Sequence, residues 1–129
     1  MRLIHDGMTD TAVIPENLGY HDEFIMTYRP LAGYELDRWQ AAAGVQQVRP
    51  ILDKLVSWPL IIENDQTAAL LSVEERKPLK AGDPLPITEA VLKMLPGFTF
   101  QCIRLAIMGI LPQPAGKNGQ EKKQEAVKN

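Results

Sequence analysis

The sequence predicts an α+β fold, mostly helical. An N-terminal β-hairpin packs on a small bundle of about four helices, and a C-terminal tail stays disordered. Three observations predict it. β-prone runs with turn residues between them cluster in the first 28 residues, helical spacing of apolar residues dominates from Leu36 to Ile110, and the end of the chain is Lys-rich. With 129 residues, 45% of them hydrophobic, the chain has enough apolar material for one core. Residues 1–111 are expected to form a single domain and 112–129 the tail.

The first strand is Thr11 to Ile14, β-prone and stopped by Pro15. Asn17 to His21 holds Asn and Gly and reads as a turn. Glu23 to Tyr28 alternates well enough for the second strand, and Pro30, which has no N–H to donate, ends it. An isolated hairpin is only marginally stable in water, so this one must lie on something. Helical spacing begins after Pro30. Leu36, Trp39 and Ala43 form an apolar stripe that runs on to Gln47, with Asp37 and Arg38 off it. Gly44 weakens this helix, and Pro50 kinks it or restarts it from a first turn where a missing N–H is harmless. Ile51, Leu52, Leu55 and Val56 then predict a second helical face that closes at Pro59. Leu60 to Ile62 fits either a strand or a packed loop. Between Gln66 and Pro86 the charged run Glu74 to Lys77 and the breakers Pro78, Gly82, Pro84 and Pro86 predict a surface loop, with one or two helical turns over Thr67 to Val73. Thr88 is placed to cap a helix from Glu89 to Leu95, with Glu89 at the positive end of its dipole. Pro96-Gly97 breaks that helix, and the last one is expected from Phe98 to Ile110, ended by Pro112. From Gln113 to Asn129 the chain has four Lys, two Glu and no aromatic, too little apolar surface to offset the entropy of ordering.

Composition excludes several function classes. The formal net charge of -2 and a pI near 5.7 lack the basic footprint of a nucleic-acid binder. One cysteine, Cys102, cannot form an intrachain disulfide and fits a reducing compartment. The N-terminus has no run long enough for a signal peptide. The most apolar stretch, Phe98 to Leu111, contains Arg104 and is shorter than the roughly 20 residues needed to span a bilayer. The expectation is a cytoplasmic protein that binds neither membrane nor nucleic acid.

Catalytic and metal sites are equally hard to assemble. His5-Asp6 and His21-Asp22 are the only His-Asp pairs, they lie in flexible or turn segments, and a third ligand is missing. Both read as solvated turn residues. Cys102 lies in an apolar helix and reads as an inert buried thiol. The glycines do not form a phosphate-binding loop, and Glu74-Glu75 belongs to a solvated charge run. The reading is a non-enzyme with no catalytic, metal or cofactor-binding residue and no cofactor. The last helix stands out because apolar side chains ring most of its circumference. Phe98, Phe100, Ile103, Ile107 and Ile110 are therefore the candidate protein interface, with a central core helix as the alternative. Tyr28, Trp39 and Trp58 are read as core.

Three stretches follow one another: "DGMTDTAVIPENLGYHDEFIMTYRPLAGYELDRW", "LVSWPLI" and "GDPLPITEAVLKMLP". Their order resembles the small tail assembly chaperones of long-tailed bacteriophages and prophages. The likeness rests on Tyr28-Arg29-Pro30-Leu31 before a helix, Ser57-Trp58 after the next, Pro86-Ile87-Thr88 leading into a short helix, and Leu95-Pro96 at its end. It runs from about Asp6 to Ile110. Pro59 after Trp58, where a polar residue is common, and an insertion-like stretch from Gln66 to Ala81 depart from it. The resemblance implies a non-catalytic protein of the bacterial host cytoplasm that coats the tape measure protein, self-associates, and is absent from the mature virion. It also implies that a frameshifted extension can recruit the tail tube protein. No residue-level site carries over. The other readings are a structural tail or neck protein retained in the virion, and a small cytoplasmic protein-binding or regulatory module.

Overall fold

The computed structural model describes residues 1–42 and 44–114. It is an α+β fold, 41% helical, with a three-stranded antiparallel sheet and five α-helices among the described residues.

The hairpin is β1 (Asp10–Ile14) paired antiparallel with β2 (Phe24–Tyr28). Register follows side-chain alternation. Ala12 faces Met26 and Ile14 faces Phe24, which puts four buried apolar residues on one face, while exposed Ile25 lies opposite Val13 on the other. The reversal at residues 17–21 is held by Asn17, whose carbonyl accepts from the N–H groups of Tyr20 (2.9 Å) and His21 (3.0 Å). Gly19 makes it possible with φ +88°, a region L side chains avoid.

After Pro30 the chain enters a 3-10 turn, Gly33–Glu35, and then α1 (Leu36–Ala41), which buries Trp39. The longer helix expected from the Leu36 stripe stops at Ala41. A second 3-10 turn, Gly44–Gln47, follows, and Ala43 of the predicted stripe lies outside the described residues. In α2 (Val48–Lys54) Pro50 occupies the first turn, so the restart holds.

The predicted second helical face is corrected at Leu55. There the backbone turns extended (ψ 126°), and Leu55–Ser57 forms β3 on the far side of β2. Arg29 stabilises this switch. Its backbone N–H donates to Lys54 O (2.7 Å) and its guanidinium Nη1 to Asp53 O (3.1 Å), so one residue satisfies two carbonyls at the negative end of α2, one of them with a cation. The sheet order is β1-β2-β3.

Gln66 to Pro86 is also corrected. α3 runs Asp65–Glu75, well beyond the one or two turns expected. Asn64 caps it by accepting from Thr67 N–H at 2.8 Å, and Arg76 ends it in the left-handed region at φ 56°. The remaining loop folds back. Ile61 bridges Pro84, with Ile62 N–H donating to Asp83 O and Leu85 N–H to Leu60 O. Thr88 caps α4 (Glu89–Met94) as expected, and α5 (Gly97–Ile107) follows Pro96. α5 ends three residues short of the predicted Ile110, with Gly109 left-handed at φ +80°.

The inner face of the sheet packs with Trp39, Ile51, Leu92, Ile103, Ala106 and Ile107 into the main core. Ile62, Ala68, Leu71 and Val91 form a second cluster, and Trp58 packs against both. The disordered tail expected over 112–129 lies mostly outside the described residues. Gln113, however, is fixed: its carboxamide accepts from Val13 N–H (2.8 Å) and donates to Val13 O (3.3 Å) on the outer edge of β1. Flanking Pro112 and Pro114 lack N–H groups, so this side chain does what a strand backbone would do there.

Candidate protein-binding surface

The interface expected on the last helix does not form one patch. Ile103 and Ile107 are fully enclosed by the chain's own core, 0% and 1% exposed, which corrects their place in that interface. α5 lies against β1 and α2 and buries a single stripe, Thr99, Cys102, Ile103, Ala106 and Ile107. Of the other three, Phe98 and Ile110 are exposed near opposite ends of the helix and Phe100 is half-buried. Phe100 lines a recess of about 410 Å³ with Val48, Leu92, Leu95 and Gly97.

The larger apolar feature lies beside this helix, on residues the sequence reading passed over. Two recesses share the wall residues Thr67, Leu85 and Leu95 and lie side by side as a two-part trough. The first, about 320 Å³, is framed by the hairpin turn at Tyr20 and His21, by Leu60 to Asn64, and by Pro96. The second, about 290 Å³, lies between α3 and α4 and adds Leu70, Leu71, Val91 and Met94. Its floor is the second cluster, where Ile62, Leu71 and Val91 are buried. On its rim Tyr20 is 65% exposed, Ile61 and Leu70 51% each, and Met94 45%. Leu95 also walls the Phe100 recess, so the end of α4 is a ridge with apolar hollows on both sides. The trough exists because α3 has no wide apolar stripe: it buries only Ala68 and Leu71 and leaves Leu70 and Val73 in solvent.

One wall of the trough is braced by polar groups. His21 Nδ1–H donates to Asp22 O (2.8 Å), and Nε2 on the other side of the ring is hydrogen-bonded to buried Thr99 Oγ1 (2.6 Å). Asn17 Nδ2 donates to the same hydroxyl at 3.2 Å, and the His21 ring meets Phe24 edge-on, centroids 5.2 Å apart. His21 is thus a structural pin between the hairpin turn and α5, not the solvated turn residue expected. His5 is exposed, its ring bonds to Asp6 O (3.0 Å) and its carbonyl accepts from Met8 N–H (3.2 Å), and it is not brought to His21. Among the described residues, no group of three His, Cys, Asp or Glu is placed to hold a metal ion.

The other polar feature is a small hollow of about 170 Å³ lined by Arg29, Tyr34, Glu35 and Lys54. Lys54 Nζ lies 2.9 Å from Glu35 Oε2, and Glu35 Oε1 also accepts from Ala32 N–H (3.0 Å). Burial pushes the Glu35 pKa up, but the Lys54 and Ala32 hydrogen bonds and the charges of Lys54 and Arg38 outweigh it and hold the carboxyl below its usual range. Cys102 is buried, and burial raises its thiol pKa, the opposite of what activates a nucleophile. Among the described residues no helix is long and apolar enough to cross a membrane. No protein-family model, curated protein or solved structure matches the chain.

Proposed function

We propose that this protein is a non-catalytic tail assembly chaperone of a long-tailed phage or prophage, which binds the tape measure protein and keeps it soluble before the tail tube forms around it. The observation that carries the binding role is the open apolar trough over the second cluster, whose lining includes, among the described residues, a single charged side chain, Glu63. Contiguous apolar surface that stays exposed in a folded chain marks an interaction site. The phage assignment is carried by the ordered motifs of the sequence. Tyr28-Arg29-Pro30 supports it further, since Arg29 bonds the last carbonyls of α2 just after β2 ends and thereby sets the hairpin on the helices.

The task requires modest affinity repeated along a long client, so that many weak contacts give avidity and each remains displaceable. Self-association into an oligomer supplies the repetition. An extension made by ribosomal slippage near Gly116-Lys117 or Lys122-Lys123 would recruit the tube protein, the complex would stay in the host cytoplasm, and the chaperone would leave as tube subunits arrive.

Co-expression tests this reading. The tape measure protein encoded beside this gene is expected to be insoluble alone and soluble with the wild-type chain. An unchanged insoluble fraction overturns it. Recovery of the chain at stoichiometric level in purified particles points instead to a structural tail or neck protein.

A further inference from the structure

We infer that the trough between the hairpin turn, α3 and α4 takes an amphipathic helix of a partner protein, held by two aliphatic anchors and a basic flank. This deepens the binding role proposed above and rests on that role, but not on the phage assignment.

Three features select the occupant. The first is area. Tyr20, Ile61, Leu70 and Met94 together expose on the order of 400 Å² of side chain, half of the about 800 Å² per partner that a stable protein interface buries. The trough is therefore too small to hold a second copy by itself and is the right size for one helical segment. The chain's own residues 115–129 do not suit it either, because only Ala115, Ala126 and Val127 among them are apolar.

The second feature is wall chemistry. The inner hollow is built from side chains of α3 and α4, Leu70, Leu71, Val91 and Met94 among them. Helix side chains offer no backbone ladder to an extended peptide. The backbone edge of Leu60 to Ile62 that faces the 83–85 loop is already engaged, with Leu60 O and Ile62 N–H bonded to Leu85 N–H and Asp83 O. An occupant lying in apolar surroundings must satisfy its own N–H and C=O groups, which a helix does. Two adjoining hollows of similar size, about 320 and 290 Å³, then receive two aliphatic side chains from one helix face.

The third feature is charge. Among the described residues neither hollow is lined by a Lys or Arg, and Glu63 lines the first. Exposed Asp65 follows the lining residue Asn64, and exposed Asp22 and Glu23 follow His21. The chain as a whole carries -2, of which 115–129 contribute +2 from four Lys and two Glu, so residues 1–114 carry -4. Exposed Lys93, beside Met94, is held by Glu89 at 3.1 Å, so the charged residues next to the lining are mainly acidic and favour Lys or Arg beside the anchors over Glu.

The test uses the full-length chain and two fluorescent peptides of about 20 residues, long enough to form a helix on binding. Both carry Leu at helical spacing; one has Lys and the other Glu on the polar face. Anisotropy is expected to show micromolar binding of the Lys peptide, about tenfold weaker binding of the Glu peptide, and a preference that shrinks as salt is added. Leu70→Asp and Met94→Asp should each weaken the Lys peptide about tenfold. Val73→Asp, an exposed α3 position outside the lining, should not. Leu70→Ser provides a milder variant if either Asp variant loses its circular dichroism. Equal binding of both peptides overturns the charge assignment, equal loss in Val73→Asp overturns the location, and no binding by the wild type overturns the inference as a whole. A chain that solubilises the tape measure protein yet ignores both peptides sinks this inference and leaves the chaperone reading intact. A chain that binds the Lys peptide but solubilises no client does the reverse.

Discussion

Trp58 is half-buried at the junction of the two apolar clusters. Its ring packs against both clusters, and its Nε1–H donates to Leu85 O at 2.8 Å, tying the segment after β3 to the loop before α4. Trp58→Ala is expected to cost about 3 kcal/mol in chemical denaturation. Trp58→Phe, which removes the donor and little of the packing, should cost about 1 kcal/mol. A loss for the Ala variant near that of the Phe variant would mean the ring itself contributes little. Glu35 makes a prediction about pH. Its folded pKa is depressed by Lys54 and Ala32 in spite of burial, so its contribution is present above the unfolded carboxylate range and is lost as pH falls through the lower folded value. Glu35→Gln should therefore destabilise the protein at neutral pH by about 0.5–1 kcal/mol, since the pair is partly solvated, and less at acid pH. Equal destabilisation at both pH values would show that the ion pair is not the cause.

At the scale of elements, α3 is set by its two ends and not by a strong apolar stripe. Asn64→Ala removes the acceptor for Thr67 N–H and should cost about 1 kcal/mol. Arg76 adopts φ 56°, a conformation in which a side chain costs roughly 1–2 kcal/mol and glycine does not. Arg76→Gly should stabilise the chain by up to about 1 kcal/mol, after the greater entropy glycine gives the unfolded state. A lower melting temperature for Arg76→Gly would contradict that account. The caps themselves are legible in the sequence: Thr88 stands before Glu89, and Asn64 before Asp65 is an equally good signal. What hid α3 was its weak amphipathicity, the same property that leaves Leu70 exposed on the trough.

For the whole molecule, Gln113 joins the end of the described chain to its first strand. Composition alone places 112–129 outside the fold, which would make truncation after Leu111 harmless. With the Val13 pairing in place it should lower the melting temperature by a few degrees, on the order of 1 kcal/mol, whereas truncation after Pro114 should not. Equal melting temperatures would show that water replaces the carboxamide without loss. Self-association is tested by light scattering over a concentration series, where species above 14.4 kDa are expected. Because Ile103 and Ile107 are core, Asp at either position should unfold the chain and not release a folded monomer. A folded Ile103→Asp monomer would mean that α5 is not enclosed as described.

The sequence by itself determined the parts written within a few residues of one another. Alternation over Phe24 to Tyr28 placed the inner face of the hairpin, Pro50 marked the first turn of a helix, Thr88 capped one, and Trp39 was buried where its stripe put it. Those signals are local because strand and helix periods and caps act over one to four positions. Tertiary structure decided the rest. Leu55–Ser57 became a strand because β2 offered an open edge and Arg29 capped the helix before it. His21 became a pin only when Thr99, 78 positions away, came within 2.6 Å. The trough gathers Tyr20, Ile61, Leu70 and Met94 from four separate segments, and no spacing in the sequence links them. Such contacts form only after the intervening loops have closed, at an entropic cost set by the whole topology, so the residues involved carry no local mark of their role.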